Sequence, residues 1–284
     1  MGLGDDLMIT GFVEEEYKKH PDKQIVIGNL NENLIFDSII YLNNPKIIHS
    51  SKVNKAEPVH FINYNDLNRF YVDYEKCTDN NLAWRTDVKL IPGKLYFSQN
   101  EIDEALTILK NARQFWFKNN KKEPEGVIFF ESYSTKSDHD FYSKKMINKN
   151  WGEINWINLV NRIKNKYLII QSVHEKAIQI NGTFYANYNF DFRTACALID
   201  CCDIFLGNEG GFGHAAAALK KRALIYFGGW ISPKSTGYET HDNVYYKDNL
   251  SPCGAIGYIC NHCKNAREKI TVDYMEEKID LIFS

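Results

Sequence analysis

Short apolar runs alternate with helical patterns along this chain, and that alternation constrains the fold more than any other feature. "KQIVIGN" (23–29), "GVIFFES" (126–132), "YLIIQSV" (167–173), "DIFLGN" (203–208) and "ALIYFGG" (223–229) are each closed by polar or glycine residues, as strands covered on both faces are. "HFINY" (60–64) and "KLYFS" (94–98) are further strand candidates. Apolar residues at helical spacing predict helices over 5–20, 100–118, 151–166, 191–202 and 271–283. The alternation predicts an α/β fold with mainly parallel sheets. The charged, proline-containing "KNNKKEPEG" (118–126) divides it into an N-terminal half, residues 1–118, and a C-terminal half, residues 119–284.

Composition narrows the function classes. A chain of 284 residues, 44% of them hydrophobic, buries a sizeable core. A net charge of -2 supplies no global basic field, so no nucleic acid is expected as partner and at most peripheral membrane contact. No stretch reaches the ~18–20 apolar residues of a membrane span, and no signal-peptide pattern opens the chain. Seven unevenly spread cysteines do not make a secreted disulfide framework. The expected location is the cytoplasm.

The most informative stretch is "NEGGFGHAAAAL" (208–219). It lies where a strand gives way to a helix, and ligands of α/β proteins collect at strand carboxyl ends. Gly210, Gly211 and Gly213 would let a phosphate approach the backbone, and a helix opening near His214 offers free N–H groups and a positive dipole end. The plain alternative is a tight turn before a small-residue helix. "YFGGWISPKSTGYETH" (226–241) repeats the pattern after the next strand, with Ser232, Lys234, Ser235, Thr236 and His241. Two such loops in succession suggest a nucleotide-type site.

Three other segments bear candidate chemistry. In "MGLGDDLMITG" (1–11), Asp5 and Asp6 either cap a helix or offer a general base to a cleft, with Gly4 leaving room for substrate. Lys149 precedes a helix N-terminus, where the dipole disfavours a cation; holding a phosphate would explain it. Cys253, Cys260, His262 and Cys263 carry zinc-type donors, with His241 or His262 as a possible fourth ligand of a structural zinc and reduced buried thiols as the alternative. "SDHD" (137–140) matches a short metal-binding pattern by residue type alone.

Taken in order, "GLGDDLMITG", "KNWGEINW", "FRTACALID", "GNEGGFGHAAAAL" and "FGGWISPKSTGY" resemble glycosyltransferase family 9, the ADP-heptose–lipopolysaccharide heptosyltransferases. The resemblance is strong over 126–266 and weak over 30–90. It implies a GT-B-like fold, two Rossmann-like halves facing a central cleft, with donor nucleotide on the C-terminal half and acceptor on the N-terminal half. It also implies inverting, metal-independent transfer from a nucleotide diphosphate sugar, an ADP-sugar favoured, to a glycan or lipid-linked glycan acceptor. Asp5 matches the general base, with Gly4 and Asp6 on the acceptor side. Lys149, Glu209, Gly210, Gly211, Gly213, His214, Ser232, Lys234 and Thr236 match the donor side, and no metal and no cofactor is required. Glu209 stands where the family carries an Asp; the implied diphosphate would repel its charge, so it is expected to face sugar or ribose hydroxyls. The chain opens at the loop that follows the family's first strand, so its N-terminal half is expected to lack that strand. A nucleotide-sugar epimerase and a non-catalytic nucleotide-sugar-binding protein share the architecture and remain alternatives.

Overall fold

The computed structural model describes residues 2–65, 68–132, 147–172, 179–185, 191–258 and 260–284. The chain opens with two short helices, α1 (Leu3–Ile9) and α2 (Val13–Lys19), where the sequence predicts one. The break has a local cause. Thr10 turns its hydroxyl back onto the Leu7 carbonyl (2.7 Å) and accepts from the Lys94 amide (2.8 Å). The Ile91 carbonyl lies so close that a Cβ at Gly11 would be 2.3 Å from it. An arriving segment thus occupies the space that a continuous helix would need.

The N-terminal sheet centres on β1 (Gln24–Asn29), flanked by β2 (Leu34–Ile35), antiparallel, and β3 (Val59–Asn63), parallel. "KLYFS" forms no strand and joins neither sheet. Its carbonyls bond side chains instead, Tyr96 accepting from Arg193 and Asn43. The long α3 (Gln99–Asn120) follows, started by a capping box in which Ser98 and Glu101 satisfy each other's amides.

The C-terminal sheet has six strands: β4 (Val127–Glu131), β5 (Leu168–Gln171), β6 (Phe184–Tyr185), β7 (Ile204–Asn208), β8 (Arg222–Gly228) and β9 (Asp242–Tyr245). Their order is β6-β5-β4-β7-β8-β9 and every pairing is parallel. Counted from β4 this is 3-2-1-4-5-6, the doubly wound Rossmann order. Connecting it are α4 (Glu153–Ile163), α5 (Phe192–Cys201), α6 (Gly211–Ala218), α7 (Pro233–Thr236), α8 (Asn261–Lys269) and α9 (Val272–Phe283). Asp191, Ser232 and Thr271 cap α5, α7 and α9.

Alternate residues of β4 divide the core. Ile128 and Phe130 pack with Trp156, Leu159 and Val160 of α4 and with Met275 and Ile279 of α9. Val127 and Phe129 face a second cluster that includes α5, α6, Ala105, Ala112 and Trp116 of α3, and Leu7, Ile25 and Ile27 of the N-terminal half. The two halves therefore share one core. The helix that the sequence assigns to the N-terminal half, α3, packs on α5 and beside β5 and β6. Arg193, 1% exposed, ties this junction: its guanidinium pairs with Glu101 (2.5 and 3.1 Å) and donates to the carbonyls of Ile39 (3.0 Å) and Tyr96 (2.6 Å). Among the described residues, no helix is long and apolar enough to cross a membrane.

Candidate functional site

The strand order reverses between β4 and β7, and a doubly wound sheet holds its ligand at the carboxyl ends of the strands flanking that point. β4 ends at Glu131 and β7 at Asn208, followed by Glu209. Asn208 is fully buried and stitches three segments together. Its side chain donates to the Ser132 carbonyl (2.9 Å) and accepts from the Trp151 amide (3.2 Å). Asn148, also buried, donates to the Ala255 and Tyr258 carbonyls and accepts from the Cys260 amide. These two asparagines fix the short turn Ile147–Lys149 and bring Lys149 to the end of β7.

Lys149 Nζ is ion-paired with Glu209 and lies 5.4 Å from the centre of the Trp230 ring. Both side chains of the pair are largely buried. Burial pushes the Glu209 carboxyl up, but Lys149 and His214 outweigh it and the net shift is downward, so the carboxylate stays ionised. The carboxylate expected to face sugar or ribose hydroxyls is here ion-paired with the Lys149 ammonium.

The helix after the glycine turn, α6, begins at Gly211, so His214 lies in its first turn rather than ahead of it. Its ring nitrogens lie 3.0 Å from the Tyr238 hydroxyl and 4.0 Å from a Glu209 oxygen. Burial lowers the His214 pKa against the opposing pull of Glu209 and Asp5. Glu209, Gly210, Gly213, His214, Thr236, Tyr238, His241 and Asn243 line a cavity of about 10 Å³, room for about one water. Nε2 of His241 and Oδ1 of Asn243 have no hydrogen-bond partner among the described residues.

From the other half, α1 meets α6 backbone to backbone. A Cβ at Gly4 would stand 3.0 Å from the Gly211 Cα and 3.3 Å from the His214 ring. This contact sets Asp5 beside the glycine turn. Asp5 accepts from the Gly2 amide (3.2 Å), as a helix cap does, and from the Tyr71 hydroxyl, with Arg69 at 3.5 Å. The Gly2 contact is the capping role weighed for it, and Tyr71 and Arg69 hold the rest of its carboxylate. Asp6 is buried and accepts from Ser38 (2.7 Å).

The second loop divides. Ser235 and Thr236 are buried, and Thr236 lines the cavity beside Glu209. Ser232 caps α7, and Lys234 is exposed to solvent, so the structure does not bring Lys234 into the cluster. The thiols of Cys253, Cys260 and Cys263 lie within 4.8 Å of one another, with the Cys253 and Cys263 sulfurs 3.2 Å apart. Neither histidine joins them. His262 is held by Asp248 (3.1 Å), Ser251 (3.0 Å) and the Gly229 carbonyl (3.1 Å), and His241 lines the other cavity. "SDHD" lies outside the described residues.

Sequence reading passed over Arg69, Tyr71, Tyr238, Trp230 and Glu131. Of these, only Glu131 left a signal, an acid closing the all-apolar run "VIFF" at a strand's carboxyl end. Burial, partly offset by Lys149, pushes its carboxyl up to about 8.

No family model and no curated protein matches the chain by sequence. Solved structures do match by shape. The iron-containing dodecameric glycosyltransferase TibC from enterotoxigenic E. coli aligns over 99% of this chain and 74% of its own, with a TM-score of 0.62 and 14% identity. A family 9 glycosyl transferase from Veillonella parvula aligns over 87% of this chain and 84% of its own, with a TM-score of 0.54 and 12% identity. E. coli ADP-heptose lipopolysaccharide heptosyltransferase II, 16% identical with a TM-score of 0.43, aligns over 71% of this chain, which spans 54% of that one. The first two matches, with TM-scores above 0.5, give the chain an α/β, GT-B-like fold.

Proposed function

We propose that the chain is an inverting, metal-independent glycosyltransferase. It moves a heptose or other hexose-like sugar from a nucleotide diphosphate sugar, an ADP-sugar favoured, to a hydroxyl of a glycan or lipid-linked glycan. One observation carries the reading: Lys149 and the N-terminus of α6 converge at the topological switch point of a Rossmann sheet, where a diphosphate is held. The N–H groups of Gly211 and Phe212, at the start of α6, have no intrahelical acceptors and suit phosphoryl oxygens. The cytoplasm, where nucleotide sugars are made, is the proposed location.

In this reading Asp5 removes the proton of the acceptor hydroxyl as its oxygen attacks the anomeric carbon. The bond from that carbon to the diphosphate breaks on the opposite face, and the electron pair leaves with the diphosphate. Inversion follows from the single displacement. Lys149 and the α6 dipole stabilise the developing charge, which is the task a divalent metal performs in other transferases. Lys149 must leave Glu209 to do so.

The thiols of Cys253, Cys260 and Cys263 fit a soft metal ion such as zinc or iron in donor type and spacing, with the fourth position left to another donor. A metal there would clip the loop at Cys253 to the start of α8, a structural role away from the reacting carbon. The hydrogen bond between Cys253 and Cys263 lowers the Cys253 thiol to about 6 and, with burial, raises the Cys263 thiol; a metal would displace the proton the pair shares.

The test is turnover. Purified protein incubated with ADP-sugars should release ADP and transfer the sugar with inverted configuration. Asp5→Asn should lower turnover by at least about 100-fold, the scale of a lost general base, while ADP affinity is kept. Full activity in Asp5→Asn would remove the base assignment.

A further inference from the structure

We propose that Glu16, His20 and His60 form a binding site for one divalent transition-metal ion, with zinc the best fit. The site lies in the N-terminal half, on elements other than those that carry the nucleotide cluster, and it is independent of the nucleotide-sugar reading.

Placement comes first. Glu16 lies in α2 and His20 directly follows that helix. The two are four positions apart, about one turn, and share a face. Two ligands one turn apart is the spacing by which a single helix serves a zinc ion. The third ligand comes from β3, the edge strand paired with β1, where His60 is in register with Ile25. The two imidazoles converge on Oε2 of Glu16, which is 3.0 Å from Nε2 of His60 and 3.9 Å from Nε2 of His20. All three donor atoms lie within 4.8 Å of one another. Donors bound at ~2.0–2.1 Å around a tetrahedral ion stand roughly 3.4 Å apart, so these separations bracket those of an occupied site. The imidazoles are stacked with ring centres 3.8 Å apart, and admitting the ion means opening them slightly.

Donor chemistry decides the ligand. A hydrogen-bonded pair of His60 and Glu16 accounts for two of the three residues. It does not account for His20, whose Nε2 comes toward the same oxygen yet stays beyond hydrogen-bond reach. Glu16 divides its two oxygens. Oε1 takes the Lys19 ammonium at 2.8 Å, and Oε2 faces the imidazoles. An outer partner of this kind holds a ligating carboxylate in position. The three side chains are between 23% and 29% exposed, so water reaches the site and fills the position that three protein ligands leave open. Two imidazoles and a carboxylate suit zinc and its first-row neighbours. Magnesium and calcium take oxygen ligands and are poorly served. A bound ion would clip the end of α2 to β3, joining residues 44 positions apart in the chain.

The probe is zinc alone. Protein stripped with a chelator is dialysed against micromolar zinc, and bound metal is counted in wild type, Glu16→Gln, His20→Ala and His60→Ala. Each variant should hold one ion fewer per chain than wild type. Zinc on Cys253, Cys260 and Cys263 would be held equally by all four proteins and cancels in the difference. A second measurement needs no variant, so it decides the matter even where a substitution prevents folding. Zinc should shield His20 and His60 of wild type from acylation by diethyl pyrocarbonate, read by peptide mass, and leave the exposed His49 reactive. Magnesium should shield neither. Equal metal counts in four folded proteins, or equal modification of His20 and His60 with and without zinc, would overturn the site. Equal shielding by magnesium would overturn the choice of metal.

Discussion

Lys149 sits among Glu209, Trp230 and Glu131, and its choice of partner determines what the site does. With Glu209 the pair is closed and largely dry. Breaking such a pair is unfavourable unless something replaces the lost partner, and a diphosphate supplies that replacement. Glu209→Gln removes the competing carboxylate. ADP should then bind at least as tightly as to wild type in calorimetric titration, while discrimination among ADP-sugars falls. ADP binding about tenfold weaker would show instead that the carboxylate holds the donor. The sequence passed over Trp230 and Glu131 but made Lys149 and Glu209 legible, the acid through the glycine-rich strand-to-helix turn it heads and the lysine through its place before a helix N-terminus. It did not make their pairing legible. Glu209 and Lys149 are 60 positions apart, and only the folded asparagine stitching of Asn148 and Asn208 reveals that they meet.

At the scale of elements, the long apolar strands and the helices over 100–118, 151–166, 191–202 and 271–283 were readable because each is an unbroken period. What escaped was set by tertiary contact: the break between α1 and α2, the isolated "KLYFS" segment, and the two-residue strands β2 and β6. The joint between α3 and α5, held by Arg193, escaped too. Arg193 leaves Glu101 as a poorly solvated carboxylate if it is removed, and frees two carbonyl acceptors. Arg193→Ala should lower the unfolding free energy by about 3 kcal/mol, read by urea denaturation at pH 7. A loss below about 1 kcal/mol would mean the two helices hold together by apolar packing alone.

Across the whole molecule, the shared core makes the two halves one folding unit, and its polar inclusions set a pH dependence. Burial holds His241 down to about 4, from 6.5 when unfolded. Between those values the unfolded chain binds the proton and the folded one does not, so stability falls as pH drops from 6.5 to 4, by up to about 3 kcal/mol. Between pH 7 and pH 4.5, denaturation should show wild type losing more stability than His241→Gln by about that amount; an equal change in both proteins would assign the dependence to other groups. Glu131 acts in the opposite sense, since its raised pKa removes stability as pH rises from 4.5 to about 8.

The central claim is that a nucleotide diphosphate sits on Lys149 and the start of α6. The direct measurement is calorimetric titration of ADP into wild type and into Lys149→Met, which keeps the length of the side chain and removes its charge. The account predicts saturable one-to-one binding to wild type and affinity at least about tenfold lower in Lys149→Met, the loss of one charge-assisted contact. No binding to wild type, or equal affinity in the two proteins, would contradict it.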